Sequence, residues 1–250
     1  MLRRTRADWP LLLAANRDEM RDRPWAPPAR HWPDREEVVA GQDLLSGGSW
    51  LGVNDHGVVA AILNRYGSLG PAPDKRSRGE LVLEALDHAD AREAAAALAE
   101  IEPSAYRSFN AVVADNQDAF WIRHLGGESD PVLQPLPPGL SMLTAHDRND
   151  TRGSPRQRHY LPRWRAARIP DPERDDWQEW EALLASREEA PGEGPASAMN
   201  VQLPDGFGTL CTSLIALPAD IRQRPVWRFS AGPPDQAAYE RIDLAPQTGG

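Results

Sequence analysis

The order of apolar and polar positions along the chain predicts strands grouped in hairpins. Apolar runs at residues 50–53 and 58–63 flank the polar turn NDHG, and two apolar runs joined by such a turn are typical of a β-hairpin. A second hairpin is predicted where residues 109–114 and 119–122 flank another polar turn. Further apolar runs that predict strands lie at residues 11–16, 38–41, 141–145, 210–217 and 225–230.

Two pairs of helices interrupt these strands. Ser77 and Glu80 have the Ser-x-x-Glu spacing of a capping box, which predicts that a helix begins there. A second, alanine-rich helix is predicted from Asp90 to about residue 101, a third from Ser154 to about residue 168, and a fourth over residues 177–187. Strands in hairpins and helices in consecutive pairs favour an α+β fold with antiparallel sheets over a doubly wound parallel sheet.

The stretch LLLAANRDEMRDRPW, residues 11–25, changes character abruptly. An apolar run of the kind found in buried strands ends in Asn16, Arg17, Asp18 and Glu19. If the strand continues through them, Arg17 and Asp18 point to opposite sides. Such residues indicate either a site at the edge of the sheet, where function is often carried, or a solvated ion-pair cluster of little energetic value. The pattern alone leaves both open.

Composition narrows the class of protein. A chain of 250 residues with 40% hydrophobic and 26% charged residues has an ordinary globular composition. The net charge of −9 argues against a general nucleic-acid binder, which carries a basic stripe. No apolar run approaches the roughly 20 residues of a membrane span, and no signal peptide is evident, so we expect a cytoplasmic protein without membrane insertion. The excess of arginine, with Lys75 as the only lysine, indicates a GC-rich bacterial genome.

Few residues suggest chemistry on their own. Cys211 is the only cysteine, which excludes an intrachain disulfide and gives no support for a thiolate zinc site. It lies in an apolar run, so we expect a small buried residue there. His146 and Asp147 follow a predicted strand, where they would bind a metal or act as a general base. The alternative is an Asx-rich turn that precedes the helix at Ser154.

Several segments together resemble a known family. The stretch LLLAANRDEMRDRPW is followed by GGSWLGVNDHGVVAAILNRYG and SRGELV, and the three resemble the NRDE family, that of transport and Golgi organisation protein 2. The later segments FNAVVAD, GLSMLTAHDRND and GTLCTSLIALP are similar to bacterial members. The resemblance runs from about Trp9 to about Phe229, and the NRDE and GGSWLG motifs are specific as a pair.

This resemblance implies a fold and a type of chemistry. The family is related to N-terminal nucleophile hydrolases of the bile-salt hydrolase and penicillin V acylase type, which implies a single NRDE-family domain over residues 1–250 with a four-layer αββα sandwich. In such enzymes an amino-terminal cysteine attacks an amide or ester carbonyl, and its own α-amine serves as the base. An arginine and an aspartate orient the nucleophile, and the backbone N–H of an asparagine helps to hold the oxyanion.

The resemblance also implies site residues. Arg17 and Asp18 match the orienting pair, and Asn64 in VVAAILNRYG matches the oxyanion asparagine. The register is uncertain by a residue or two, so Asn16 or Glu19 is an alternative for either orienting role. As ligand contacts we expect Trp25, in the proline-rich stretch after the NRDE motif, together with His146 and Asp147.

The departures from the family pattern bear on the reaction. Family members begin Met-Cys, whereas this chain begins Met1-Leu2 and has no cysteine before Cys211. Either the true start lies upstream, so that a first strand and its cysteine are missing, or the nucleophile is lost. We expect the upstream start, because an unpaired edge on the NRDE strand would favour aggregation. The acylases also carry an asparagine and an arginine where this chain has residues 143–147 and 209–213.

Three functions remain open at this point. The first is an amide or acyl-thioester hydrolase of a small molecule whose nucleophilic cysteine is missing from this chain. The second is a non-catalytic protein that binds haem or an acyl lipid on the same scaffold, because the resemblance implies haem mobilisation and lipid or acyl-coenzyme A homeostasis. The third is a metal-dependent hydrolase centred on His146 and Asp147. We expect a small-molecule ligand, no nucleic-acid partner, and no cofactor apart from haem as a possible bound ligand.

Overall fold

The computed structural model describes residues 1–5, 8–70 and 72–245, and these form two compact units. The first unit contains Met1–Arg23, Pro138–Leu143 and Arg148–Ile242, and the second contains Pro24–Pro137, Thr144–Asp147 and the residues from Asp243 onward. None of the helices in this described part of the chain combines the length and the apolar character needed to cross a bilayer.

Strands and helices follow one another in blocks, as the sequence pattern predicts. The strands are β1 Leu2–Arg4, β2 Leu11–Met20, β3 Trp25–Ala29, β4 Val38–Asp43, β5 Leu51–Asn54, β6 Val59–Asn64, β7 Phe109–Ala114, β8 Ala119–His124, β9 Val132–Pro135, β10 Gly139–Ser141, β11 Phe207–Leu217, β12 Val226–Ser230 and β13 Tyr239–Arg241. The helices are α1 Gly79–Leu86, α2 Ala91–Ala99, α3 Pro155–Ala166 and α4 Gln178–Ala185.

The first unit is a six-stranded antiparallel sheet in the order β10-β1-β2-β11-β12-β13. Its long central pair, β2 and β11, runs from Leu11 opposite Leu217 to Met20 opposite Phe207. Helices α3 and α4 cover one face of this sheet, where side chains of β2 and β11 join a buried cluster with three helix or helix-flanking tryptophans. Because alternate strand residues point to opposite faces, only every second residue of β2 enters that cluster.

The second unit is a seven-stranded antiparallel sheet in which each strand pairs with the next along the chain, from β3 to β9. Helices α1 and α2 pack on one of its faces and bury a core with β4, β6 and β7. Alanines of α2, among them Ala91, Ala94 and Ala95, are completely buried. The small side chains allow this helix to lie close to the sheet. The α+β class with antiparallel sheets, predicted from the order of elements, is confirmed.

The NRDE residues do not form a loop. Strand β2 continues through Asn16, Arg17, Asp18 and Glu19, and all four pair with β11. The apolar run therefore predicted the start of the strand correctly and its end four residues too early, because polar side chains at this end are compatible with strand pairing. Strand β1 precedes β2 and pairs Leu2 with Leu13, so the premise that the NRDE strand has an unpaired edge is wrong: β1 and β11 occupy its two edges.

Tertiary contacts override the predicted capping box at Ser77. Helix α1 begins at Gly79, with Arg78 at the N-cap position and no side-chain capping bond. The Arg78 guanidinium instead donates to the Ser68 hydroxyl and to the Ser108 carbonyl. Gly79 lies against the backbone of Ser49, where a Cβ would come within 3.0 Å of that backbone. Contacts with distant loops thus set the first turn of this helix.

The other predicted helix starts are confirmed. The Asp90 carboxylate accepts from two backbone N–H groups at the start of α2, and the Ser154 hydroxyl accepts from Gln157 N at the start of α3. The strand predicted at residues 141–145 is wrong beyond Ser141. Asn149 accepts from Met142 N through its side chain and donates its own N–H to Met142 O. These bonds fold the chain into a loop where the apolar pattern suggested a strand.

Candidate functional site

The polar end of β2 presents different residues on its two faces, as alternation along a strand predicts. Asn16 and Asp18 share the face that carries α3 and α4, and Arg17 and Glu19 share the opposite face. The prediction that Arg17 and Asp18 point to opposite sides is confirmed. The four residues that the sequence grouped as one motif therefore have two separate environments.

Asn16 is a structural cross-link. Its Nδ2 donates to the carbonyls of Leu184, at 3.0 Å, and Met199, at 2.8 Å. Its Oδ1 accepts from the Thr212 hydroxyl at 2.8 Å. Both N–H donors of the amide are therefore used. The side chain ties β2 to the end of α4, to a following loop and to β11.

Asp18 is held on the same face by two donors. Its Oδ2 accepts from Arg156 Nη1 at 3.0 Å and its Oδ1 accepts from the Thr209 hydroxyl at 2.7 Å. The same hydroxyl accepts from Val201 N at 2.9 Å. Asp18 therefore fixes the rotamer of Thr209 and joins β2 to α3. Sequence reasoning did not identify Arg156 or Thr209 as its partners.

Arg17 lies beside the only cysteine of the chain. It is opposite Cys211 in the β2–β11 register, and residues directly opposed in antiparallel strands point to the same face. The exposed fraction is 8% for Arg17 and 1% for Cys211. The register shifts between Thr209 and Cys211, so one extra residue lets Thr209 meet Asp18 on one face while Cys211 meets Arg17 on the other.

The Cys211 thiol is not poised as a nucleophile. Burial raises its pKa to about 12, although the charge of Arg17 acts in the opposite direction and that of Asp18 reinforces the increase. The thiolate is the reactive form of cysteine, and very little is present at neutral pH. The predicted burial of Cys211 is confirmed.

Glu19 lies towards the surface. Its Oε2 is 3.8 Å from the Arg23 guanidinium, and its Oε1 accepts from the adjacent Met20 N. A partly exposed ion pair at that distance contributes little stability. Glu19 therefore fits the surface-cluster alternative that the sequence pattern left open.

In the second unit, Asn64 lies at the end of β6, where it pairs with Phe109. The next residues run beside the segment that contains His146, because Tyr66 N donates to Ala145 O at 3.0 Å. The Asn64 side chain is half-buried and makes no hydrogen bond to any residue in the described ranges. Its expected oxyanion role remains a prediction.

The centre of this second cluster is Asn110, which sequence reasoning missed. Its Nδ2 donates to the carbonyls of Thr144 and His146, both at 2.9 Å. Its Oδ1 accepts from Arg65 Nη1 at 2.7 Å and from Trp121 Nε1 at 3.0 Å. The available signal was an amide inside the apolar run FNAVVAD. The Asn110 side chain is completely buried, and its bond from Trp121 is buried with it.

Asp147 is bracketed by two arginines, which lie 2.7 Å from its carboxylate oxygens: Arg65 from Oδ1 and Arg123 from Oδ2. Burial acts to raise the pKa of Asp147, but hydrogen bonds and charges from the two arginines outweigh it and hold the pKa below its usual value. The carboxylate is thus engaged by cations of the same unit.

His146 stacks on Tyr66, with ring centroids 5.9 Å apart and an interplanar angle of 28°. No group of three or more His, Cys, Asp or Glu residues in the described ranges could hold a metal ion. Together with the arginine bracket on Asp147, this arrangement gives the metal-centre hypothesis no support. The cluster is built to hold the segment around residues 144–147 against the sheet.

Trp25 lies apart from that cluster, on β3 at the edge of the same sheet. It makes an edge-to-face contact with Trp50, with centroids 5.8 Å apart and planes at 82°. Trp50 itself fills the space above Gly41, where a Cβ would come within 2.2 Å of its ring. The two rings pack within the second unit, and a role for Trp25 in ligand binding stays a prediction.

Comparisons with known proteins extend this description. The sequence profile of the family described as Transport and Golgi organisation 2 matches residues 1–222. The Transport and Golgi organization 2 homolog of Mus musculus is 35% identical over 141 residues, and its Homo sapiens counterpart is 38% identical over 143 residues. Each match covers 54% of this chain and 50% of the relative, so the chain spans about half the length of the curated relatives it matches.

Two solved structures share the fold. The penicillin V acylase of Agrobacterium tumefaciens has a TM-score of 0.56 and 17% identity, and the alignment covers 99% of this chain and 88% of that one. The Caenorhabditis elegans ortholog of N-acylethanolamine-hydrolyzing acid amidase has a TM-score of 0.59 and 13% identity, with coverage of 97% and 98%. The fold of the N-terminal nucleophile hydrolases, expected from the resemblance, is confirmed; identities this low show the fold alone.

Proposed function

The chain belongs to the Transport and Golgi organisation 2 family, and from that premise we propose that it binds an acylated small molecule, an amide or a thioester, at the Arg17 face of β2. The two structural neighbours are named as an acylase and as an amidase that hydrolyses N-acylethanolamine. A shared fold makes an acyl group the natural ligand class to test.

The observation that carries the proposal is the burial of Arg17 beside Cys211. A guanidinium carries five N–H donors in a rigid planar fork and stays charged at every physiological pH. Arg17 is only 8% exposed, on the face of β2 that α3 and α4 do not cover. A ligand carbonyl or carboxylate is the chemical complement of such a group. Asn16 and Asp18 support it from the other face by fixing the strand.

Hydrolysis is the second candidate activity, since both neighbours are named for it. It needs a nucleophile next to the ligand carbonyl, and the protonated, buried Cys211 does not provide one. Because the thiol of Cys211 is buried and its pKa is raised, we expect this chain to bind the acylated ligand without cleaving it.

Calorimetric titration of the purified full-length chain with octanoyl-coenzyme A, penicillin V and haem tests the proposal. We expect saturable binding of at least one acylated probe, with no acid or amine product detected by chromatography. Arg17→Gln should weaken that binding by about ten- to a hundredfold, because hydrogen bonds to a charged group contribute about 1.5–3 kcal/mol. Arg222→Gln, the same change at an exposed arginine paired with Asp220, should leave the affinity unchanged.

Binding of haem alone would replace the acyl proposal with the haem alternative. An Arg17→Gln protein that binds the acylated probe as tightly as the original chain would remove Arg17 from the site. Thermal unfolding of Arg17→Gln and Arg17→Lys completes the test. If Arg17→Gln lowers the melting temperature and Arg17→Lys restores folding but not affinity, the guanidinium contacts the ligand; if Arg17→Lys restores both, Arg17 is structural.

A further inference from the structure

A cavity that opens to the surface lies within the first unit, away from the Arg17 face. The cavity has a volume of about 290 Å³ and its walls include Arg21, Arg187, Gln202, Thr209 and Gln236, with Val201 and Pro233 as apolar parts. This volume lies just below the range of small-molecule pockets, about 300–1,000 Å³. It is sufficient for a ligand much larger than a water molecule.

Arg187 is a fixed part of the wall. Its Nε and Nη2 donate to the two carboxylate oxygens of Asp235 at 2.7 and 3.2 Å, and its Nη1 donates to the Gln202 side-chain oxygen. Asp235 also accepts from Asn200 Nδ2 at 2.7 Å. The charge of Arg187 is thus balanced by Asp235. The Gln202 side-chain oxygen is thereby occupied, which leaves its amide N–H groups as the hydrogen-bonding atoms of that side chain.

Arg21 supplies the charge that is not balanced. Its backbone N–H donates to Gly206 O at 3.0 Å, which fixes the chain just after β2. Its guanidinium makes no hydrogen bond or ion pair with residues in the described part of the chain. The cavity wall therefore carries one positive charge beyond the Arg187–Asp235 pair.

The wall offers few free acceptors. The Thr209 hydroxyl already donates to Asp18 and accepts from Val201 N, and no acidic side chain is among the lining residues. We propose that this cavity binds a small monocarboxylate. Its single negative charge matches Arg21, its oxygens accept from the guanidinium and amide donors, and its apolar body lies against Val201 and Pro233. This inference concerns a different site from the Arg17 face and goes beyond the proposed function.

Calorimetric titration of the full-length chain with benzoate tests the site, with inorganic phosphate as a second probe. We expect saturable binding of benzoate and at least about tenfold weaker binding of phosphate, whose second charge has no cationic partner. Arg21→Gln should weaken benzoate binding about tenfold or more, which corresponds to the loss of one charge-assisted contact. Arg224→Gln, the same change at another exposed arginine of this unit, should bind benzoate as the original chain does.

Three results would overturn this proposal. They are the absence of saturable benzoate binding, tighter binding of phosphate than of benzoate, and an equal loss of affinity in Arg21→Gln and Arg224→Gln, which would indicate a general charge effect. Gln236→Ala provides a check that leaves the charge unchanged. A loss of benzoate affinity in this variant, with an unchanged melting temperature, supports binding inside the cavity.

Discussion

Each unit contains an asparagine that holds neighbouring segments of the chain. One lies at the polar end of β2 in the first unit, and the other is at the centre of the Asn110 cluster in the second unit. In each, one asparagine amide donates to two backbone carbonyls: Asn16 to Leu184 and Met199, and Asn110 to Thr144 and His146. In each, an aspartate is held by arginine. Each amide thus fastens a loop to a sheet, and Asn16 also fastens the end of α4.

The two clusters differ in how their charged side chains are arranged. Asp147 is bracketed by two arginines of its own unit, so the charges of the second cluster are engaged with one another. In the first unit, Asp18 is engaged with Arg156 and Thr209 on one face, while Arg17 lies buried on the other face beside an uncharged thiol. The comparison shows that Asn16 and Asp18 fasten β2 to its neighbours on one face, while Arg17 is the residue for which we propose a ligand contact.

The comparison predicts the largest loss of stability for Asn110→Ala. The substitution removes the donors to the Thr144 and His146 carbonyls and leaves the buried Trp121 Nε1 and one Arg65 N–H without their acceptor. We expect the free energy of unfolding to fall by about 3 kcal/mol or more, since each unsatisfied buried group costs about 1–3 kcal/mol. Urea unfolding measures the change. Asn64→Ala is the control, with an expected change below about 1 kcal/mol, and equal effects would show that Asn110 is not the centre of the cluster.

A smaller loss is expected for Asn16→Ala in the first unit. This side chain is only partly buried, so water can satisfy some of the groups it leaves behind. We expect the free energy of unfolding to fall by about 2 kcal/mol. Glu19→Gln, on the same strand, should change it by less than about 0.5 kcal/mol, as for other exposed ion pairs. If Glu19→Gln proved as harmful as Asn16→Ala, the division of the motif between its two faces would be wrong.

The smallest effect is a change in pH dependence for Asp147→Asn. The arginines hold the pKa of Asp147 in the folded chain below its ordinary value of 3.8. The carboxylate therefore stabilises the fold above that value, and this contribution is lost as the pH falls through the lower folded pKa. Between about pH 5 and pH 2 the original chain should lose more stability than Asp147→Asn. Urea unfolding at several pH values measures the free energy of unfolding of both proteins. If it changes with pH in the same way in both, the contacts of Asp147 with its two arginines contribute nothing to stability.

Local signals explain which parts of the fold were predictable from the sequence. The caps at Asp90 and Ser154 involve groups within three residues of each other, so a short pattern contains the whole interaction. The opposite orientation of Arg17 and Asp18 follows from the twofold repeat of a strand. The capping box predicted at Ser77 had the same kind of local signal, but the helix starts at Gly79 instead. Arg78 bonds to Ser68 and Ser108, and Gly79 packs against Ser49, so residues outside the helix set its first turn.

The site could be predicted only in part. The NRDE motif located Asn16, Arg17 and Asp18, but the partners Thr209 and Arg156 are more than a hundred positions away from Asp18. Nothing in the local pattern of β11 predicts that one extra residue before Cys211 turns Thr209 and Cys211 to opposite faces. Asn110 had a visible signal, but its four partners come from three other segments.

By itself, the amino-acid sequence determined the α+β class, most helix starts, the family and the position of the polar motif. Each of these depends on neighbours along the chain or on a characteristic string of residues. The tertiary structure alone decided which partners the motif residues contact, which buried cation lies beside Cys211, and which residues line the cavity. The physical reason is that strand register, the irregularity in β11 and the desolvation of charged groups arise only when distant segments pack together.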